Sequence, residues 1–122
     1  MAASIDPGLA PVSWPAPDYT RVPYRVFTDP GIARTEDAAI FGGDTWNYLG
    51  LEAELRRPGD YHLSYVGERQ VVVNRTADGG LVAFVNSCAH RGAQLVRTLR
   101  GNAASHTCAY HQWCFDLDGQ LL

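Results

Sequence analysis

The chain of 122 residues contains no lysine and carries charge on only 19% of its positions. Its ten basic residues are all arginines, scattered singly except for the pair Arg56-Arg57, and thirteen acidic residues leave a net charge of −3. Without a clustered basic face, a general nucleic-acid or membrane-surface binder is excluded. No apolar run approaches the roughly eighteen residues that cross a bilayer, and the start Met1-Ala2-Ala3-Ser4-Ile5-Asp6-Pro7 lacks the basic and then apolar pattern of a secretory leader. Cysteine is scarce and odd in number: Cys88, Cys108 and Cys114. That count argues against a disulfide framework and predicts a reduced, cytoplasmic setting in which thiols bind metal or react. What is present is a 46% apolar composition, which predicts a small packed core in a chain too short for two full catalytic domains.

Six of the seven prolines fall in the first thirty residues, and proline fixes φ while removing an amide donor. Residues 1–30 are therefore expected to form an extended arm. Trp14, Tyr19, Val22, Tyr24, Val26 and Phe27 make its second half apolar enough to lie against another surface. Thr35, followed by Glu36 and Asp37, predicts the capped start of one short helix, and Gly42-Gly43 its stop. From Thr45 onward the pattern changes to short β-type runs at 46–51, 61–66, 70–74, 81–85, 105–108 and 113–116. They are separated by turn-forming breaks such as Arg57-Pro58-Gly59-Asp60, Val66-Gly67, Ala77-Asp78-Gly79-Gly80 and Asp118-Gly119. The expectation is an arm with a short helix over residues 1–43 and an all-β antiparallel domain over 44–122.

The informative feature is a pair of short motifs, Cys88-Ala89-His90 and Cys108-Ala109-Tyr110-His111, separated by seventeen residues and each following an expected strand. Each loop offers one thiolate and one imidazole, so the two tips are expected to face each other across a bound centre. Soft thiolates suit zinc or the iron of an iron-sulfur cluster, and imidazole suits either metal. Zinc sites more often draw a compact Cys-x2-Cys chelate from one loop. One Cys and one His from each loop instead match a Rieske [2Fe-2S] centre, in which two Cys hold one iron and two His the other. A structural zinc site remains the alternative at this point.

Cys88-Ala89-His90-Arg91-Gly92-Ala93 and Cys108-Ala109-Tyr110-His111-Gln112-Trp113-Cys114-Phe115-Asp116 resemble the two cluster loops of the large (alpha) subunits of Rieske-type aromatic ring-hydroxylating dioxygenases. The likeness extends to Thr20-Arg21-Val22-Pro23-Tyr24, to Thr45-Trp46-Asn47-Tyr48-Leu49-Gly50-Leu51-Glu52, to Pro58-Gly59-Asp60 and to Val85-Asn86. It covers residues 20–122 and is nearest to the salicylate 5-hydroxylase, anthranilate and terephthalate oxygenases. The resemblance implies a Rieske antiparallel β-sandwich, C-terminally incomplete, behind an extended Pro-rich arm. It implies that Cys88 and Cys108 hold the iron that stays ferric and that His90 and His111 hold the iron that changes valence near the surface. Rieske proteins of cytochrome complexes carry an extra, disulfide-forming Cys in each loop where this chain has Ala93 and Tyr110, and a hydroxyl donor to a cluster sulfur where it has Trp113. Fewer donors to the sulfurs imply a potential toward the low end of the Rieske range, about −150 mV.

Among the neighbours, Arg91 and Gly92 are expected to shape the first loop, with a positive φ or close backbone approach at Gly92. Trp113 is expected to pack over the cluster, Tyr110 to serve in packing, with a hydrogen bond to a cluster sulfur or Cys ligand as the alternative, and Cys114 to be a half-buried strand residue. His106 reads as a strand side chain and His62 as one on a solvated face. Neither has the spacing of the two-His, one-carboxylate triad that holds mononuclear iron. By resemblance that Fe(II) site belongs to a catalytic domain missing from this chain, which is expected to be an N-terminal fragment, inactive alone. It would accept electrons from a ferredoxin or reductase within a homo-oligomer or an α/β hetero-oligomer. The alternatives are a stand-alone Rieske ferredoxin and a structural zinc-binding β module.

Overall fold

The computed structural model describes residues 8–14 and 20–122. The chain divides into two compact units, Met1–Asn47 and Tyr48–Leu122.

In the first unit, helices α1 (Arg25–Thr28) and α2 (Pro30–Glu36) are followed by a π-helical turn, Asp37–Phe41. The arm is thus not extended throughout. Pro30 occupies the first turn of α2, where its missing N–H costs nothing and its fixed φ favours the helix. The cap is Asp29 rather than Thr35: Asp29 Oδ1 accepts from the N–H of Gly31 at 2.8 Å and of Ile32 at 3.4 Å. Thr35 lies inside the helix, its hydroxyl donating to the Gly31 carbonyl. The Arg25 guanidinium, donating to Asp29 at 2.8 Å, is the main reason the Asp29 carboxyl is held below its ordinary value. Arg25 also donates to the carbonyls of Ala10 and Pro11, tying the arm to α1. Trp14, Val22, Tyr24 and Phe27 are exposed. Tyr19 lies outside the described residues.

The second unit contains a four-stranded antiparallel sheet in the order β3-β2-β1-β4 and a two-stranded sheet β5-β6. The strands are β1 (Asp60–Val66), β2 (Arg69–Arg75), β3 (Leu81–Val85), β4 (Arg100–Asn102), β5 (His106–Thr107) and β6 (Cys114–Phe115). A two-residue turn with Gly67 at φ +57° joins β1 to β2, setting the register Val66↔Arg69 through Tyr61↔Asn74. The run Val71-Val72-Val73 suits β2 as an inner strand, buried on both faces. Val72 faces a core with Leu95, Val96, Cys88, Cys108 and Phe115, whereas Val71 and Val73 face Leu55, Leu49 and Val66. One face of β2 therefore builds the floor beneath both cysteine loops.

Two expectations fail here. Residues 46–51 form no strand; this segment leads into a 3-10 turn, Glu52–Glu54, and its large side chains Trp46, Tyr48 and Leu51 are exposed. His62 is buried rather than solvated, with its Nε2 donating to the Leu49 carbonyl at 3.0 Å. Strand β4, unexpected from its sequence Arg100-Gly101-Asn102, is held by pairing to β1 and by Asn102 Nδ2, which donates to Asp60 Oδ1 at 2.8 Å and to the Pro58 carbonyl at 3.0 Å.

Gly59, at φ +85°, joins the segment before β1 to both neighbours. Its N–H donates to the Arg75 carbonyl and its carbonyl accepts from the Ala103 N–H. A Cβ there would stand 2.5 Å from the Ala103 carbonyl oxygen. Gly59→Ala is expected to destabilise the chain by about 3 kcal/mol through left-handed strain and this backbone collision. Urea unfolding checks the value, and a change under about 1 kcal/mol would contradict it.

Candidate metal centre

The first loop, residues 88–93, follows β3, and the second, residues 108–113, joins β5 to β6. Both close with the same two backbone bonds. The Cys88 N–H donates to the Ala93 carbonyl at 2.8 Å and the Gly92 N–H to the Cys88 carbonyl at 2.8 Å; Cys108, Trp113 and Gln112 repeat this at 2.8 and 2.9 Å. The fourth residue after each Cys has a positive φ, +71° at Gly92 and +63° at Gln112. The loops are thus two copies of one turn, with the His placed two residues after Cys88 and three after Cys108.

Gly92 bears out the expected positive φ. Gln112 is, among the described residues, the single non-glycine residue in that region, a conformation that side chains other than glycine adopt at a cost. A Cβ on Gly92 would meet nothing nearer than Ser87 Oγ at 3.8 Å, so the penalty there is conformational. Opposite effects are expected from two substitutions: Gly92→Ala costs about 1 kcal/mol and Gln112→Gly contributes up to about 1 kcal/mol. Thermal unfolding of the two variants checks the signs, and equal signs would contradict the shared turn.

The turns sort the four residues into two pairs. Cys88 and Cys108 are buried, 3% and 2% exposed, in one core cluster. The Cys108 thiol is held below its ordinary value, first by the Tyr110 N–H, then by the His111 N–H, the Cys88 side chain and the Arg97 charge, against the opposing effect of burial. The histidines are exposed, with ring centroids 4.7 Å apart in an edge-on contact. Trp113 stacks on His90 at 4.7 Å and 11°. Because His90 comes from one loop and Trp113 from the other, the loops interlock. Trp113 is half-buried against the core, as expected of a cover. Tyr110, although 59% exposed, packs its ring 3.8 Å from that of His111, with the Arg91 guanidinium carbon 6.0 Å from its centroid.

The donor set fits a two-iron, mixed-ligand cluster: a thiol pair on the buried side, an imidazole pair on the exposed side, and N–H groups aimed at a thiolate sulfur. Among the described residues, no three His, Cys, Asp or Glu side chains gather as they would around a single ion. Cys114 is half-buried on β6, with the Thr107 hydroxyl on its sulfur at 3.5 Å. His106, buried on β5, donates from Nε2 to Asn74 Oδ1 at 3.0 Å. Sequence reasoning missed the matching turns, for which Gly92 was the one legible signal.

Comparison with known proteins adds an independent finding. The profile of the Rieske [2Fe-2S] domain family matches residues 45–122. The chain is 54% identical over 111 residues to the large subunit of anthranilate 1,2-dioxygenase from Burkholderia cepacia, covering 91% of this chain and 26% of that protein. It is 41% identical over 108 residues to the large oxygenase component of salicylate 5-hydroxylase from Ralstonia sp, covering 88% and 26%. Among solved structures, naphthalene 1,2-dioxygenase from Rhodococcus sp. bound to indole superposes with a TM-score of 0.77 at 36% identity, covering 83% of this chain and 23% of that one. The chain thus spans about a quarter of the length of the curated relatives it matches. With a family match across more than half its residues and the paired Cys and His loops that such a domain needs, the chain belongs to the Rieske [2Fe-2S] domain family.

Proposed function

We propose that the chain is the electron-accepting portion of the large subunit of an aromatic ring-hydroxylating oxygenase, with Cys88, Cys108, His90 and His111 as the four ligands of a Rieske cluster. The observation that carries this reading is the separation of two buried thiols from two exposed imidazoles by a pair of matching turns. When bound, such a cluster supplies a one-electron redox couple. The residues of the chain do the rest. The Val72 core shields Cys88 and Cys108 from water, the N–H groups of Tyr110 and His111 favour the thiolate of Cys108, and Trp113 covers His90 on one ring face. His90 and His111 keep exposed edges, where a redox partner can approach.

In the whole protein, the electron donor is a ferredoxin or reductase, and the acceptor is mononuclear iron in a further domain, within a homo-oligomer or an α/β hetero-oligomer. The likeness to anthranilate and salicylate enzymes supports an aromatic acid as its substrate class. Residues 1–43 and 44–122 serve as arm and cluster domain. Three free thiols support a cytoplasmic setting, and among the described residues no helix is long and apolar enough to cross a membrane. Anaerobic reductive titration of the iron- and sulfide-loaded chain tests the reading: uptake of one electron per chain is expected, and uptake of none contradicts it.

A further inference from the structure

Three side-chain amides outside the metal centre converge on the base of the first loop. Asn86, two residues before Cys88, is buried at 7% exposure. Its Oδ1 accepts from the Val96 N–H at 2.7 Å and its Nδ2 donates to the Val96 carbonyl at 2.7 Å, so one side chain pairs with both backbone groups of a residue ten positions away. The second Nδ2 hydrogen goes to Gln70 Oε1 at 2.7 Å. Gln94, just past the loop, donates to the same Gln70 oxygen at 2.8 Å. The Gln70 carbonyl accepts from the Asn86 N–H at 2.9 Å, and Gln70 Nε2 donates to the Tyr65 hydroxyl at 2.8 Å.

The two ends of the loop are therefore fastened to one residue of β2. Val96 and the adjacent Leu95 also belong to the core that holds Cys88 and Cys108. A shift of Val96 would consequently move the wall of the cysteine pair as well as the loop. A buried amide with both donor hydrogens and its oxygen in use is costly to disturb, because each partner is left unpaired.

We propose that Asn86, supported by Gln70 and Gln94, is the positioning residue that holds Cys88 and His90 in register with Cys108 and His111. This rests on the cluster-binding function proposed above. Asn86 touches none of the four ligands through its side chain and acts through Val96 and the loop ends, as outer partners do when they orient metal ligands.

The test compares iron- and sulfide-loaded full chains carrying Asn86→Asp, Gln94→Ala or Tyr65→Phe with the unsubstituted chain. Asn86→Asp keeps the acceptor for the Val96 N–H and removes both donated bonds. The reduced cluster is expected to show displaced and broadened electron paramagnetic resonance lines at a temperature where circular dichroism reports an intact fold, and to be lost to chelator about tenfold faster. Gln94→Ala, at an exposed position, should shift the signal in the same direction by less. Tyr65→Phe, which removes only the acceptor for Gln70 Nε2 at the outer end of the network, should shift the signal by less than either amide variant. If Asn86→Asp fails to fold, Gln94→Ala carries the test. Signals and loss rates unchanged in the amide variants that fold would overturn the positioning role while leaving the cluster reading intact. Absence of any cluster signal in the unsubstituted chain would overturn both.

Discussion

Cys108→Ser is expected to empty the metal centre. Iron and acid-labile sulfide should fall from about two of each per chain to near zero. The sulfur of Cys108 is buried in a core of valine, leucine and phenylalanine, and its thiolate is favoured by the N–H groups of Tyr110 and His111. A serine hydroxyl in the same place stays protonated and is a hard, poor ligand for an iron-sulfur centre. Cys114→Ser provides the contrast. Its sulfur lies on β6 beside the Thr107 hydroxyl, so iron and sulfide should remain at the unsubstituted level. Metal and sulfide analysis of the two variants, reconstituted side by side, separates a ligand from a cysteine that merely packs. A full cluster load in Cys108→Ser, or loss in Cys114→Ser, would contradict the assignment.

The second large effect lies beneath the centre. Asn74 is 0% exposed on β2; its Nδ2 donates to the Leu117 carbonyl at 2.8 Å and its Oδ1 accepts from His106. The amide thus ties β2 to β5, which leads into the second loop, and to the segment after β6. Asn74→Leu preserves volume but leaves a buried carbonyl and a buried imidazole N–H without partners, each costing about 1–3 kcal/mol. The expected loss is about 3 kcal/mol, a large share of the roughly 5–15 kcal/mol that holds a domain folded. Urea unfolding measures it, and a loss below about 1 kcal/mol would mean that water or a rearranged neighbour satisfies the orphaned groups.

Much of the fold was legible where sequence and structure depend on the same local chemistry. Strands β1, β2 and β3 follow from apolar runs ended by Gly67 and by Asp78-Gly79-Gly80, because those turns set the pairing register. Strand β4 was hidden because all three of its residues are exposed and no apolar alternation marks them. The aromatic run around Trp46 suggests a strand, but Trp46, Tyr48 and Leu51 are all exposed and the segment pairs with no strand among the described residues. The helix start was misplaced by six residues, since Thr35 and Asp29 are both good caps and Pro30 decides between them.

At the metal centre, the residue types and their spacing were enough to single out four candidate ligands, because few chemistries need one thiolate and one imidazole from each of two loops. What supports them was not legible. Gln112 gives no sign in sequence of a left-handed φ, and its equivalence to Gly92 appears only when the two turns are compared. The bonds of Asn86 to Val96 and Gln70, like that of His106 to Asn74, join residues ten to thirty-two positions apart. Only the completed sheet brings them together.

The most direct test of the central claim is electron paramagnetic resonance of the dithionite-reduced chain, prepared anaerobically and paired with metal and sulfide analysis. Mixed ligation by two Cys and two His predicts two irons, two sulfides and a rhombic signal with an average g of about 1.9. One tightly held zinc with no signal would contradict it and make the paired loops a structural staple.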